Sequence, residues 1–242
     1  MFLLLCFFSF LSSFIAVSGG NGLIMLPILM GFGFKLSYVI PLLRVTAVVF
    51  IITAMISAKM AKKPLKPEKD DYPMIVLIAI SSVVAATFIH YFSEELLEII
   101  TFIIVCFFLV AKLNTKLFAM IANNKILQGI ICIFAGMCAA LFGGAGVLIT
   151  IILLSKGVEA TALLSRRLVA SLIAQASALA VFIFHGHIKI DENFFAVTIF
   201  SAIGIFISTT LSYKIKGRFT PYLLYISIFV SLTMLGYKIL NP

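Results

Sequence analysis

Three arginines interrupt long apolar runs: Arg44 in YVIPLLRVTAVVF, and Arg166 with Arg167 in ATALLSRRLVASLI. Counted from the start of its run, each lies roughly 10 to 13 Å deep at a helical rise of about 1.5 Å per residue. Insertion of arginine near the centre of a membrane helix costs about 2.5 to 3.5 kcal/mol, so such residues generally face a cavity and mark a pathway. The group itself is permanently charged, planar and rich in donors, which suits it to oxyanions. Snorkelling to the headgroups is the competing role. Arg166 and Arg167 point about 100° apart on a helix, so the two cannot both face one site.

Each arginine follows a glycine cluster. GGNGLIMLPILMGFG starts at Gly19 and GGAGVLITIILLSKG at Gly143, and Gly19, Gly20, Gly22 and Gly33 superimpose on Gly143, Gly144, Gly146 and Gly157. The apolar runs behind the clusters, 22–32 and 146–155, rise only about 15 Å as helices, half of a ~30 Å hydrocarbon core. Helices opening at Gly22 and Gly146 would aim free backbone N–H groups and positive dipole ends at a ligand, and glycine permits its close approach. The expected binding set is therefore Gly19, Gly20, Asn21, Gly22, Arg44, Gly143, Gly144, Ala145 and Gly146, with Arg166 or Arg167. Thr46, Ser165, Ser171 and Gln175 are candidates to line the same cavity, although hydroxyls on membrane helices often bond their own backbone. The ligand class is a small anion.

The elements that must position these groups are membrane helices. Hydrophobic residues make up 63% of the 242-residue chain and charged ones 11%, against roughly 25% charged in soluble domains. Apolar runs fall at about 2–17, 22–32, 36–58, 73–92, 95–111, 126–142, 146–155, 160–184, 194–213 and 221–240. The basic loops KMAKKPLKPEKDDYP (Lys59 to Pro73), KLNTK with Lys125, and KIKGR (Lys214 to Arg218) belong on the cytoplasmic side, and YFSEELLE outside. Runs 160–184 and 194–213 cancel between two cytoplasmic loops, so 126–155 must make no net crossing, as a re-entrant hairpin does. The same hairpin in the first half leaves three spanning helices in each half, an odd number, which inverts the halves. The predicted fold is an all-α polytopic membrane protein of two inverted repeats, 1–112 and 126–242, joined by a cytoplasmic connector at 113–125. Eight plain transmembrane helices are the alternative. Paired glycine-broken helices in inverted repeats are a pointer to the binding site of a secondary transporter.

Other chemistries find little support. The net charge of +9 sits mostly in short loops and reads as topology, not nucleic-acid binding. Glu94, Glu95, Asp191 and Glu192 lie at helix ends and Glu98 one turn in, with no acidic set for a cation; His90, His185 and His187 flank helix ends. Cys6, Cys106, Cys132 and Cys138 lie apart in apolar runs, so neither disulfide nor metal is expected. No nucleotide loop or Ser/His/Asp set appears, so no enzyme and no cofactor is expected. No Lys or Arg precedes the first apolar run, which argues against a cleaved signal peptide.

GGNGLIMLPILMGFG and FGGAGVLITIILLSKGVEATALLSRRLVAS resemble the repeated glycine cluster, apolar run and polar helix of the TauE/SafE (TSUP) family of sulfite and sulfonate exporters. The resemblance spans nearly the whole chain. It differs at Asn21 and Ala145 within the clusters, and in having LRVT and SRRL where the family commonly has a Thr-Ser pair. It implies a permease of the cell membrane that moves sulfur-containing anions, with sulfite and organosulfonates as the expected substrates, export as the expected direction, and the proton as one candidate coupling ion. The lipid bilayer and a second copy of the chain, as a homo-oligomer, are its candidate partners besides the anion. A permease for another small anion such as a carboxylate, and a non-transporting membrane scaffold, are the alternatives.

Overall fold

The helices follow the apolar runs. The computed structural model describes residues 2–15, 21–62, 65–93, 95–97, 99–100, 102–103 and 124–214. Gly19, Gly20, Cys106, most of the expected connector and the run at 221–240 lie outside them. The described chain forms α1 (Phe2–Ile15), α2 (Asn21–Gly31), α3 (Leu36–Met60), α4 (Tyr72–Phe88), α5 (Lys125–Phe142), α6 (Ala145–Ser155), α7 (Ala160–Phe184) and α8 (Glu192–Lys214). There is no strand among the described residues. Four helical spans, Leu36–Met60, Lys69–Phe88, Ala162–Phe184 and Glu192–Leu211, are long and apolar enough to cross a membrane. The architecture is all-α and polytopic.

The internal repeat extends from the glycines to the backbone. Asn21 and Ala145 open 11-residue helices, Leu36 and Ala160 open 25-residue helices, and each pair of residues is 124 positions apart (145 − 21 and 160 − 36). Left-handed turns close the short helices at Gly33 (φ 85) and Gly157 (φ 76). At both, the following N–H reaches back five residues, Phe34 to the Leu29 carbonyl and Val158 to the Leu153 carbonyl, as in a Schellman cap. Packing repeats as well: α1 lies on α8 as α5 lies on α4, and α3 lies on α8 as α7 lies on α4, while α3 and α7 cross each other.

Named contacts fix the direction of each helix. Tyr38, Thr46 and Ser57 of α3 meet Asp191, Thr198 and Thr210 in order, so α3 and α8 start at one face and run together. α1 runs with them, because the Phe14 carbonyl accepts from Ser208 Oγ at 2.5 Å and the Ser9 carbonyl from Ser201 Oγ at 3.4 Å. The opposite face is marked by Asp71, which pairs with Arg166 near the start of α7, and by Asp70, whose carbonyl accepts from Lys156 just beyond α6. α5 starts at this second face, since Gly129 approaches Leu77 and Gly136 approaches Ile78, Ser81 and Ser82 in the same order along α4. Thus α5 leaves the Asp70 face and α6 returns to it, while α1 leaves the Tyr38 face and α2 returns to it through Phe32–Lys35.

Burial is arranged for a lipid solvent. Ile52, Ile56, Val76, Ile80, Val84, Phe195, Ile199 and Ile203 are exposed at helical spacing, whereas Ser12, Ser13, Thr46, Ser57, Ser82, Ser201 and Thr209 are buried. Polar residues bridge helices inside while aliphatic ones face outward, because lipid offers no hydrophobic reward for burying more of them. The short helices α2 and α6 are the most enclosed, with Ile24–Met30 and Ala145–Leu153 buried almost throughout. Broken helix ends are tolerated at membrane depth only where protein covers them.

Two glycines bring the parallel pairs into backbone contact. A Cβ on Gly136 would overlap the Ser81 hydroxyl and the Ile78 carbonyl and lie 2.8 Å from Ser82 N, and one on Gly204 would overlap the Phe10 carbonyl. Gly136→Val and Gly204→Val should each cost about 3 kcal/mol, the upper range for overpacking, read as lowered thermal stability of the detergent-solubilised protein. Gly129→Ala, whose Cβ meets Leu77 at 4.0 Å, should leave stability near wild type.

Candidate functional site

α5 ends where Gly143 takes a left-handed conformation at φ 72, its N–H donating to the Ala139 carbonyl at 3.3 Å. That same carbonyl accepts from Arg44 Nη1, reaching across from α3. Arg44 Nη1 also donates to Gln175 Oε1 of α7 at 2.8 Å, and Nε donates to the Ile40 carbonyl one turn back at 3.3 Å. A Cβ on Gly143 would stand 3.2 Å from Nη2 and 3.3 Å from Nη1. Glycine is therefore needed twice there, for its backbone angle and for room beside the guanidinium. The cation also sits at the carbonyl end of α5, where the helix dipole favours it. Beyond the turn, α6 opens from Gly144 with no side-chain cap on its N–H groups.

The electrostatics of this junction are unbalanced. Arg44 is 0% exposed, and among the described residues no carboxylate forms an ion pair with it. Three nearby donors are buried without a partner: Arg44 Nη2, Gln175 Nε2 and, one helical turn before Gln175, Ser171 Oγ. An uncompensated buried charge and unmet buried donors each carry a large desolvation cost. An anion with several acceptor oxygens would relieve all of them together. The groups present bind by charge and hydrogen bonding.

The remaining expected residues are distributed as follows. Gly144, Ala145 and Gly146 are buried at the turn with Gly143. Asn21 opens α2, its amide oxygen accepting from Ser13 Oγ at 3.1 Å and from Ser12 Oγ at 3.4 Å, and Gly22 beside it is buried. Arg166 turns away to the Asp70 face, bidentate on Asp71 at 2.7 and 2.8 Å and paired with Glu68 at 2.8 Å. Arg167 and Ser165 are buried on α7, and Arg167 shares the i, i+4 stripe of Ser171 and Gln175. Thr46 faces α8, its hydroxyl 3.3 Å from that of Thr198. So Arg44, Gly143 and Gln175 come together with Ser171 close by, while Arg166 and Thr46 are engaged elsewhere.

The repeat isolates what is special here. The residues 124 positions from Arg44, Ala139 and Gln175 are Leu168, Ile15 and Ile51. All three belong to one apolar cluster with Ile24, Ile28 and Phe50. The positions that hold a charge and its partners in one repeat therefore hold aliphatic side chains in the other.

Sequence reasoning did not single out Asp71 and Glu68 as partners for Arg166, or the Ala139 and Ile40 carbonyls as acceptors for Arg44. An available signal was that an intramembrane arginine needs an anion, and Asp70 and Asp71 directly precede an apolar helix. For the carbonyls there was none, since every residue has one.

No curated protein and no solved structure matches the chain. The model of the Sulfite exporter TauE/SafE family matches residues 2–235, nearly the whole length and both glycine clusters. The chain belongs to the TauE/SafE sulfite exporter family of membrane transporters.

Proposed function

We propose that this protein is a secondary transporter that exports a sulfite- or sulfonate-like anion across the cytoplasmic membrane, with the anion held at Arg44 and the Gly143 turn. The observation that carries this reading is the fully buried Arg44 guanidinium with no carboxylate partner among the described residues and a free Nη2. Gln175, Ser171 and the uncapped start of α6 are the further donors, and Asn21 with Gly22 approaches from the other glycine-broken helix. The steps are binding, reorientation and release, without covalent chemistry.

The two halves, 1–112 and 126–242, act as inverted repeats that rock around this anion. Each contributes a re-entrant hairpin, α1 with α2 from the Tyr38 face and α5 with α6 from the Asp70 face. The second face carries Lys59, Lys62, Lys66, Lys69 and Lys156, so the positive-inside rule makes it cytoplasmic. Two contacts on opposite faces hold equivalent helices. Arg166 of α7 is clamped to Asp71 and Glu68 at the entry of α4, and Tyr38 of α3 donates to Asp191 at the entry of α8 at 2.7 Å. Opening a route to Arg44 from one side requires release of the contact on that side.

Flux of sulfite and methanesulfonate in liposomes, with acetate as competitor, tests the assignment. Arg44→Gln should lower transport at least about tenfold, since a hydrogen bond to a charged group is worth about 1.5 to 3 kcal/mol. Normal flux in a folded Arg44→Gln protein would sink the site, and equal competition by acetate would favour a carboxylate permease. A cysteine at Ser155 in a cysteine-free background should label from the cytoplasmic side; labelling from outside would exclude the hairpin. Asp71→Asn leaves Arg166 with the exposed Glu68 as its carboxylate partner, so it should cost about 1.5 to 3 kcal/mol, and it should raise cytoplasmic labelling of a cysteine at Ala47. Tyr38→Phe removes a single hydrogen bond, worth about 1 kcal/mol, and should raise labelling of the same cysteine from outside.

A further inference from the structure

Gln175 is held in one orientation by chemistry alone. An amide offers an oxygen that accepts and a nitrogen that donates, whereas a guanidinium has donors only. With Arg44 Nη1 at 2.8 Å, the side of Gln175 that faces it must be Oε1. The amide nitrogen is then turned the other way, buried and without a partner. Rotation of the amide would set donor against donor, so this residue cannot present an acceptor to a ligand while Arg44 stays in place.

Ser171, one turn earlier on the same helix, lacks the bond that many helical hydroxyls make, a state that among the described residues it shares with Thr209 of α8. Ser9, Thr53, Ser81, Thr87 and Thr150 each donate to the carbonyl four residues back, at 2.7 to 2.9 Å. This is the ordinary resting place of a hydroxyl on a helix. Ser171 Oγ has no such bond, although it is only 6% exposed. Its side chain lies about 6 Å from that of Gln175, the i, i+4 spacing. Arg44 Nη2, Gln175 Nε2 and Ser171 Oγ thus bring together a cation's N–H, a locked amide N–H and an uncommitted hydroxyl.

We propose that Gln175 and Ser171 are the specificity-determining donors of this site, so that it selects an oxyanion whose bound head carries several acceptor oxygens and no donor of its own. This rests on the anion site proposed above. A site built from buried donors rejects a ligand that leaves one of them facing another donor, because the mismatch costs about 1 to 3 kcal/mol. Sulfonates, with three equivalent unprotonated oxygens, satisfy the requirement. A singly charged phosphonate of the same shape does not, because one of its oxygens bears hydrogen.

The test compares methanesulfonate with methylphosphonate on the full-length protein in nanodiscs, at a pH where the phosphonate carries a single charge. Charge and shape are then matched and one O–H separates the two. Methanesulfonate should bind at least about tenfold tighter, the equivalent of the smaller part of that mismatch. Ser171→Ala should leave the thermal stability of the ligand-free protein unchanged or raised, since it removes an unpaired buried hydroxyl, and should weaken methanesulfonate about tenfold. Gln175→Glu keeps an oxygen for Arg44, so the protein should remain folded; it removes the donor and also neutralises the guanidinium, so it should weaken both anions and abolish the preference. Equal binding of the two anions by the wild type, or unchanged methanesulfonate binding in both variants, overturns the donor assignment. Arg44→Gln separates the two levels: if it loses both anions, the anion site stands whatever happens at Gln175, and if it binds both normally, the anion site itself has failed.

Discussion

A guanidinium with no counter-ion among the described residues sits where α3, the Gly143 turn and α7 meet, and much of the surrounding geometry answers to it. Arg44 is buried completely, so its charge must be offset by oriented dipoles. The Ala139 carbonyl at the end of α5, the Ile40 carbonyl of its own helix and the Gln175 amide oxygen supply them. These come from three helices separated by up to 131 residues in sequence, so the charge ties both halves of the chain to one point. Helix α5 stops one turn past Ala139, whose carbonyl accepts from both Arg44 and the Gly143 N–H. Gly143 has to be glycine, because a Cβ would press on the guanidinium.

The dipoles do not finish the task. A carbonyl carries partial charge only, and one guanidinium nitrogen is left with no acceptor. In a soluble protein water would fill the gap or a carboxylate would have been placed beside the arginine, as Asp71 is placed beside Arg166. The contrast between the two arginines is informative. Arg166 has its anion supplied in two copies, Asp71 and Glu68, and serves as a fastener between α7 and the entry of α4. Arg44 has none among the described residues, and an intramembrane charge left short of an anion is a pointer to function, not to fastening.

The glycine clusters, the short helices behind them and the arginines after them were legible in the sequence, because glycine spacing and interrupted hydropathy are local signals. The break at Gly143–Gly144 falls where those signals put it. What each arginine touches was not legible. Arg166 and Arg167 are equivalent in sequence terms, and only the packing of α4 against α7 directs Arg166 to Asp71. The depth of the repeat was hidden for a related reason. Lys62 (φ 54) holds after α3 the left-handed turn that Gly186 (φ 68) holds after α7, a correspondence that residue identity conceals. Thr46 was a plausible cavity residue by polarity, but the run of α3 beside α8 sends it to Thr198.

Duplicated backbone and unduplicated chemistry together explain why there is one such junction. If Leu168 were arginine, the Ile15 carbonyl would exist as the Ala139 carbonyl does, but Ile51 offers no amide, and Leu168 and Ile51 are packed in the cluster with Ile24 and Phe50. Two unneutralised guanidinium groups on crossing helices would also repel one another strongly at low dielectric. A rocking scaffold gains from symmetry, because equivalent hairpins can exchange environments at similar energy. A binding site for one anion gains from asymmetry, because a single charge fixes where the ligand rests. Leu168, Ile15 and Ile51 fill the equivalent positions with aliphatic side chains, so the duplicated helices carry the charge in one repeat and not in the other.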